Sequence, residues 1–198
     1  MRNLGILLGG AIALAACSTT PPPAAPVDLS NPLMAPGYLV QAASSDQFEV
    51  QSGQLALQAS QNPAVQQFAN MIIRDHTNST QMLMSAASAA HVPPPPPGLL
   101  PAQQAMLDQL RAAGSGYAFD RTFQQVEIQA HQQALALHQN YAANGDVPAL
   151  RATAGQIVPV VQNHLVMAQA LQVAPPPPPP PPPAPMPAPA PGRVGERG

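Results

Sequence analysis

Proline decides where this chain can fold. Of its 28 prolines, most sit in blocks: Pro93–Pro97, Pro175–Pro183, and an alternating Pro-Ala stretch ending at Pro191. A proline lacks the backbone N–H and fixes φ, so such blocks cannot carry helix or strand hydrogen bonding. Regular structure must fit into what they leave, roughly residues 38–173, interrupted once near the middle.

That remaining length reads as helix throughout. A first helix spans Tyr38–Gln61, with an ambiguous start because Ser44-x-x-Gln47 and Asp46-x-x-Glu49 both have the form of capping boxes. Asn62-Pro63 supplies a cap and a first-turn proline for a second helix, in which Val65, Phe68, Ile72, His76, Thr80, Leu83 and Ala87 recur at three- and four-residue steps to about Ala90. A short amphipathic piece, Pro101–Ala112, follows the proline block. The third long helix, Tyr117–Ala143, carries Phe119, Phe123, Val126, Ala130, Ala134, Leu137 and Tyr141 in register, and Asn144-Gly145-Asp146 stops it. Pro148 opens the last, with Leu150, Ala154, Ile157, Val161, His164 or Leu165, Ala168 and Leu171 on one face. Period-two alternation is absent, so no sheet is expected.

Four amphipathic helices of this length can bury their stripes only against one another. The expected fold is all-α, a four-helix bundle with a short extra helix in the connection between the second and third long helices. If residues 92–116 cross the length of the bundle the topology is ferritin-like; if they fold back locally it is up-down-up-down. Pro159 should kink the last helix at Val158 and free the Gly155 carbonyl, giving either a small cavity or a tolerated bend. The eight methionines read as core filler, and Met82, Met84 and Met167 do not form a Met-x-x-Met copper cluster with a histidine.

The N-terminus reads as an address. Arg2 precedes an apolar run, Leu4–Leu14, too short to span a bilayer, since a spanning helix needs about 20 apolar residues. Leu14-Ala15-Ala16-Cys17 resembles a bacterial lipobox, which implies a signal peptide over 1–16 and lipidation of Cys17. Ser18, rather than an acid, resembles the pattern that sorts lipoproteins to the outer membrane, so the expected location is the periplasm-facing cell envelope. Residues 17–37 then form a lipidated, proline-rich tether, and 174–198 a disordered polyproline tail. The tail is read as a solubilising segment, with docking to a polyproline-binding envelope partner as the alternative.

Composition removes whole classes of function. The chain has 7 Lys+Arg, all of them Arg, so Schiff-base and P-loop chemistry are excluded. Its charged residues amount to 8%, which leaves no basic patch for nucleic acid. Cys17 is the one cysteine, and no Ser lies in a Gly-x-Ser-x-Gly elbow. The inventory leans away from an enzyme.

One segment carries a family resemblance. Phe48-Glu49-Val50, Gly53-Gln54-Leu55-Ala56-Leu57 and Asn62 through His76 together resemble a widespread bacterial family of exported, ferritin-like proteins, known as a domain of unknown function and as outer-membrane proteins. Phe68-Ala69-x-Met71-x-x-x-Asp75-His76 is the most distinctive piece, and Phe119-Asp120, Phe123, Ile128, His131, Pro159 and His164-Leu165 match its later motifs. The similarity spans Tyr38–Leu171; a Gln-rich rather than Lys-rich surface and the proline tails depart from it. It implies fold and export, and transfers no activity.

The histidines pose the chemical question. His76, His131 and His164 lie on three helices and Glu49 on the fourth, with Glu127 one turn before His131. Each is roughly 13–19 residues from its nearest hairpin turn, about 20–28 Å along helices of about 40 Å, so all five fall near the middle third. Inward Glu and His on facing helices suit a transition metal, Fe, Zn, Mn or Cu. Against that, Glu127 and His131 are four apart rather than in a Glu-x-x-His pair, and both sit on the flank of their stripe. The competing reading, preferred on sequence, makes His76 and His164 core-edge residues hydrogen-bonded to Asp75, Glu49, Gln or backbone. On that reading the protein is a lipid-anchored interaction or structural module of the envelope, and metal binding or ferritin-like redox is the alternative. Arg74, Asp75 and Asn78 read as a solvated face, His138 as a weaker candidate and His91 as exposed. Replacing Cys17 with Ser is expected to release the protein from the membrane fraction, and its persistence there would overturn the lipobox reading.

Overall fold

A computed structural model describes residues 28–175. The expected signal peptide, Cys17, most of the expected tether and the bulk of the proline tail lie outside the described residues. Five helices form: α1 Ala35–Ala59, α2 Pro63–Ala89, α3 Pro101–Ala112, α4 Tyr117–Asn144 and α5 Pro148–Ala170. There is no strand among the described residues.

Local chemistry sets the boundaries. The Asn62 side chain accepts from the Ala64 N–H at 2.9 Å, and Pro63 fills the first helical position where no N–H is needed. Proline also stands in the first turn of α1, α3 and α5. For α1 this moves the start to Ala35, ahead of both apparent capping boxes, so Ser44, Asp46 and Glu49 are mid-helix and buried. α4 begins after Gly116, whose φ of 68° suits a residue without Cβ and whose N–H donates to the Ala59 carbonyl.

Those contacts fix the topology. The start of α4 is beside the end of α1, while Asp146, in the α4–α5 turn, donates to Leu33 just before α1. Asn62 in the α1–α2 turn reaches the Gln172 carbonyl beyond α5. The connection through α3 therefore runs the length of the bundle, the first of the two alternatives. α1 pairs with α2 and α4 with α5; α2 and α5 meet on one side, α1 and α4 on the other. α3 packs on α1 and α4 and covers that second seam.

The buried apolar residues fall into two separate clusters. One holds Phe48, Val65, Phe68, Ile72, Leu107, Leu110, Phe119 and Phe123, near the α1–α2 turn. The other holds Tyr38, Leu39, Leu83, Tyr141, Leu150, Ile157 and Val161, near the α4–α5 turn. Between them every long helix contributes polar residues instead. Methionine is not the filler expected: of the six among the described residues only Met106 is buried, while Met34 and Met167 are exposed. Alanines occupy the close seams, and the longer thioethers lie at helix edges. α5 continues as one helix through Pro159.

Two glycines give opposite expectations. A Cβ on Gly53 would lie 2.7 Å from Ile73 Cγ1 and 3.0 Å from the Ala69 carbonyl, so this glycine sets how closely α1 and α2 approach. A Cβ on Gly155 would meet nothing within 4 Å. Gly53→Ala should therefore destabilise by about 1–3 kcal/mol through overpacking. Gly155→Ala should stabilise by about 0.5–1 kcal/mol through helix propensity. Chemical denaturation of both variants checks the pair.

Candidate metal centre

The polar layer between the two apolar clusters is built from all four long helices. α1 contributes Asp46, Glu49 and Ser52, α2 His76 and Ser79, α4 Glu127 and His131, and α5 His164. Counting from the turns placed these groups at one height, and the structure brings the five sequence candidates together there. Glu127 and His131 are fully buried rather than flanking, because α4 touches α1, α5 and α3 and so buries a wider arc than one stripe.

Three imidazoles stand at its centre. The rings of His76, His131 and His164 lie 5.3–5.5 Å apart by centroid, and one ring nitrogen from each lies within 4.8 Å of the others. None is more than 2% exposed. Phe68 packs against His131 and His164 from the side of the first apolar cluster.

Each ring is held by one nitrogen. His76 Nδ1 is 2.8 Å from Asp46 Oδ1, and Asp46 also accepts from the Thr80 hydroxyl. His131 Nδ1 is 2.8 Å from the Glu127 carbonyl, and His164 Nε2 is 3.0 Å from Asp75 Oδ2. Carboxylate and carbonyl oxygens only accept, so each of these nitrogens carries the proton and donates. The opposite nitrogens are His76 Nε2, His131 Nε2 and His164 Nδ1, which present lone pairs when the rings are neutral. All three are buried with no hydrogen-bond partner. A buried polar atom without a partner costs roughly 1–3 kcal/mol, and three in one layer call for a ligand.

Two of the imidazoles, His131 and His164, are biased toward the neutral form. Burial pushes His131 well below the ordinary histidine range, aided by the charge His76 would carry, and moves His164 in the same direction. Asp75 is partly buried, which works against ionisation, yet hydrogen bonds from Arg74 and His164 hold it below the usual carboxylate range. Asp75 is thus more than a member of a solvated face: it bridges Arg74 at the surface to His164 inside.

Beside His131 lies a carboxyl pair. Glu49 Oε1 and Glu127 Oε2 are 3.7 and 3.5 Å from His131 Nδ1. Ser52 donates to Glu127 Oε1 at 2.8 Å. Neither oxygen of Glu49 meets a donor, so burial and then repulsion from Glu127 push it well above the ordinary value. Kept neutral, Glu49 becomes a donor with Glu127 beside it as acceptor. Glu49, Glu127 and His131 together form a second group able to hold a cation.

Sequence reasoning missed Asp46, whose Asp-x-x-Glu spacing looked like a helix start. It also undervalued His138, which is buried and shares a hydrogen bond with the Tyr38 hydroxyl at 2.9 Å. Tyr38 in turn stacks on Tyr141, with ring centroids 3.8 Å apart. His138 lies two helical turns from His131 and outside the layer; His91 is exposed, as expected.

Comparison with known proteins adds two findings. A family model described as a domain of unknown function, DUF4142, matches residues 18–171. Solved structures of CopM share the fold: the Cu(II)-bound form at 21% identity and TM-score 0.58, covering 69% of this chain and 94% of that one. The Ag-bound form follows at 20% and 0.57, covering 69% and 93%. The Cu(I)-bound form follows at 20% and 0.56, covering 69% and 94%. No curated protein matches the chain.

Burial lowers His138 to about 4, against about 6.5 for a free imidazole. A group depressed on folding contributes its stability in full above its unfolded pKa and loses it as pH falls through the folded one. Between about pH 6.5 and 4 the native state should therefore lose about 3 kcal/mol from this group. In His138→Asn, where Oδ1 can accept from Tyr38, that part of the acid limb should flatten. Denaturant titrations of both proteins across that range measure the difference.

Proposed function

The chain belongs to the family defined by a domain of unknown function, DUF4142, and we propose that it is a metal-binding protein of the cell envelope, holding one transition-metal ion on His76, His131 and His164. The observation that carries this reading is the trio of buried, partnerless lone pairs. Each of the three atoms is buried and meets no hydrogen-bond donor of the protein.

The donor set matches the chemistry. Three imidazole ligands suit copper and zinc, and leave a coordination position open. Asp46, the Glu127 carbonyl and Asp75 occupy the opposite nitrogens, the arrangement that orients a ligating ring and raises its basicity. When bound, the ion would supply charge to a layer that has lone pairs and no cation of its own. CopM, whose fold this chain shares, is known in copper- and silver-bound forms, which makes those ions the first to try. The lipobox resemblance supports placement in the envelope, tethered through Cys17. A membrane-held protein that binds and retains metal needs no catalytic residue, consistent with the thin inventory of reactive side chains.

Metal analysis of the full chain carrying Cys17→Ser tests the reading, with the lone thiol gone as a rival ligand. One equivalent of copper or zinc is expected, with a higher melting temperature than the metal-free form. Affinity should fall by about 10–100-fold in Asp46→Asn, which weakens the support for His76 and leaves the three imidazoles in place. Binding should vanish in the His76→Ala/His164→Ala double variant. Wild-type protein that stays metal-free after reconstitution would falsify it.

A further inference from the structure

The histidine layer is sealed on most sides. Phe68 and the first apolar cluster lie toward one end, the second cluster toward the other, and α3 covers the seam between α1 and α4. The seam between α2 and α5 has no such cover among the described residues. A cavity of about 130 Å³ opens there, and it is lined by His76 and His164 themselves. Its remaining wall is informative. Ser79 contributes a buried hydroxyl with no partner. Asp75 brings a carboxylate, and Met82 a half-buried thioether. Val160, 40% exposed, stands at the lip.

A cavity of this size with several polar groups has room for a few waters, or for an ion shedding them. It sits where α5 passes through Pro159, which has no N–H to bond the Gly155 carbonyl and so loosens that turn. The thioether matters because of its softness. Oxygen donors favour hard ions, whereas a neutral sulfur selects monovalent copper and silver over divalent zinc. Met82 is the one sulfur on a cavity that also exposes two of the three imidazole ligands.

We infer that this cavity is the entry vestibule of the metal centre, and that Met82 is a station in it for soft monovalent ions, which the protein takes up through the α2–α5 seam. This rests on the three-histidine reading of the preceding subsection. Met82 is a specificity-determining residue on the route: it captures the ion near the surface and passes it to His164 and His76, without being required for the final complex. The sequence offered no sign of this, since Met82 has no Met-x-x-Met partner. Its role comes from a wall shared with residues 75–79 and 156–164, which only the packing of α2 on α5 creates.

The test is kinetic, in the full chain carrying Cys17→Ser. Transfer of Cu(I) and of Zn(II) from chromophoric chelators is followed by stopped flow under anaerobic conditions. Met82→Leu keeps the volume and removes the sulfur. It is expected to slow Cu(I) uptake by about tenfold, leave Zn(II) uptake unchanged, and leave one bound equivalent of either ion. Val160→Trp, which plugs the lip without touching a ligand, should slow both ions. A third variant needs no metal: Ser79→Cys should react with a small methanethiosulfonate reagent, and the added Val160→Trp should block it. Wild-type uptake rates in both Met82→Leu and Val160→Trp overturn the vestibule while the metal centre stands. Protein that binds neither ion overturns the centre and the vestibule together. A Ser79→Cys thiol that stays unreactive refutes the open cavity whatever the metal results.

Discussion

Three imidazoles share a buried layer in which each has surrendered one nitrogen to a fixed acceptor. That constraint organises the rest of the molecule. Because Asp46, the Glu127 carbonyl and Asp75 take the protonated nitrogens, the unprotonated ones have no donor left to meet. Four helices then have to be brought to one register so that the layer closes. The long crossover through α3, the early start of α1 at Ala35 and the tight α1–α2 approach at Gly53 all serve that register. A layer of this kind is expensive in an alanine-rich bundle whose seams bury little apolar area per residue.

The carboxyl pair extends the same logic. Glu49 and Glu127 cannot both be ionised at zero exposure, and a single proton between them resolves the conflict. Their position against His131 puts a variable charge next to the ring that links both candidate groups. The layer therefore contains a rigid half, defined by fixed tautomers, and a half whose proton content can respond to what is bound. That asymmetry separates this arrangement from a symmetric four-carboxylate site: among the described residues only Glu49 and Glu127 bring carboxyl groups to a candidate cation group.

Much of this was legible in the residues. Helix periodicity and the Asn62-Pro63 and Pro148 signals located the long helices, and counting residues from the turns placed His76, His131 and His164 at one height, because helical rise is constant. Direction around each axis was harder. A single-helix stripe assumes one neighbour, whereas α4 has three, so Glu127 and His131 looked marginal and are central. Asp46 was hidden by ambiguity: an acid followed three residues later by Glu reads alike at a helix start and in its middle, and only Pro36 upstream distinguishes them. Asp75 was misjudged for a related reason, since its partner His164 lies on α5, at a separation that no local pattern encodes. The methionines as a class failed as filler because alanine, not thioether, sets the helix spacing.

The division of the apolar interior has a further consequence. With Phe48, Phe68, Phe119 and Phe123 at one end and Tyr38, Tyr141, Leu150 and Ile157 at the other, the bundle is two greasy halves joined at a buried polar waist. Each half can loosen without dragging the other along, since little oily contact crosses the middle. An ion held by three different rods at that waist would act as a rivet, converting two semi-independent blocks into one cooperative body. Cargo and mechanical integrity would then be the same thing.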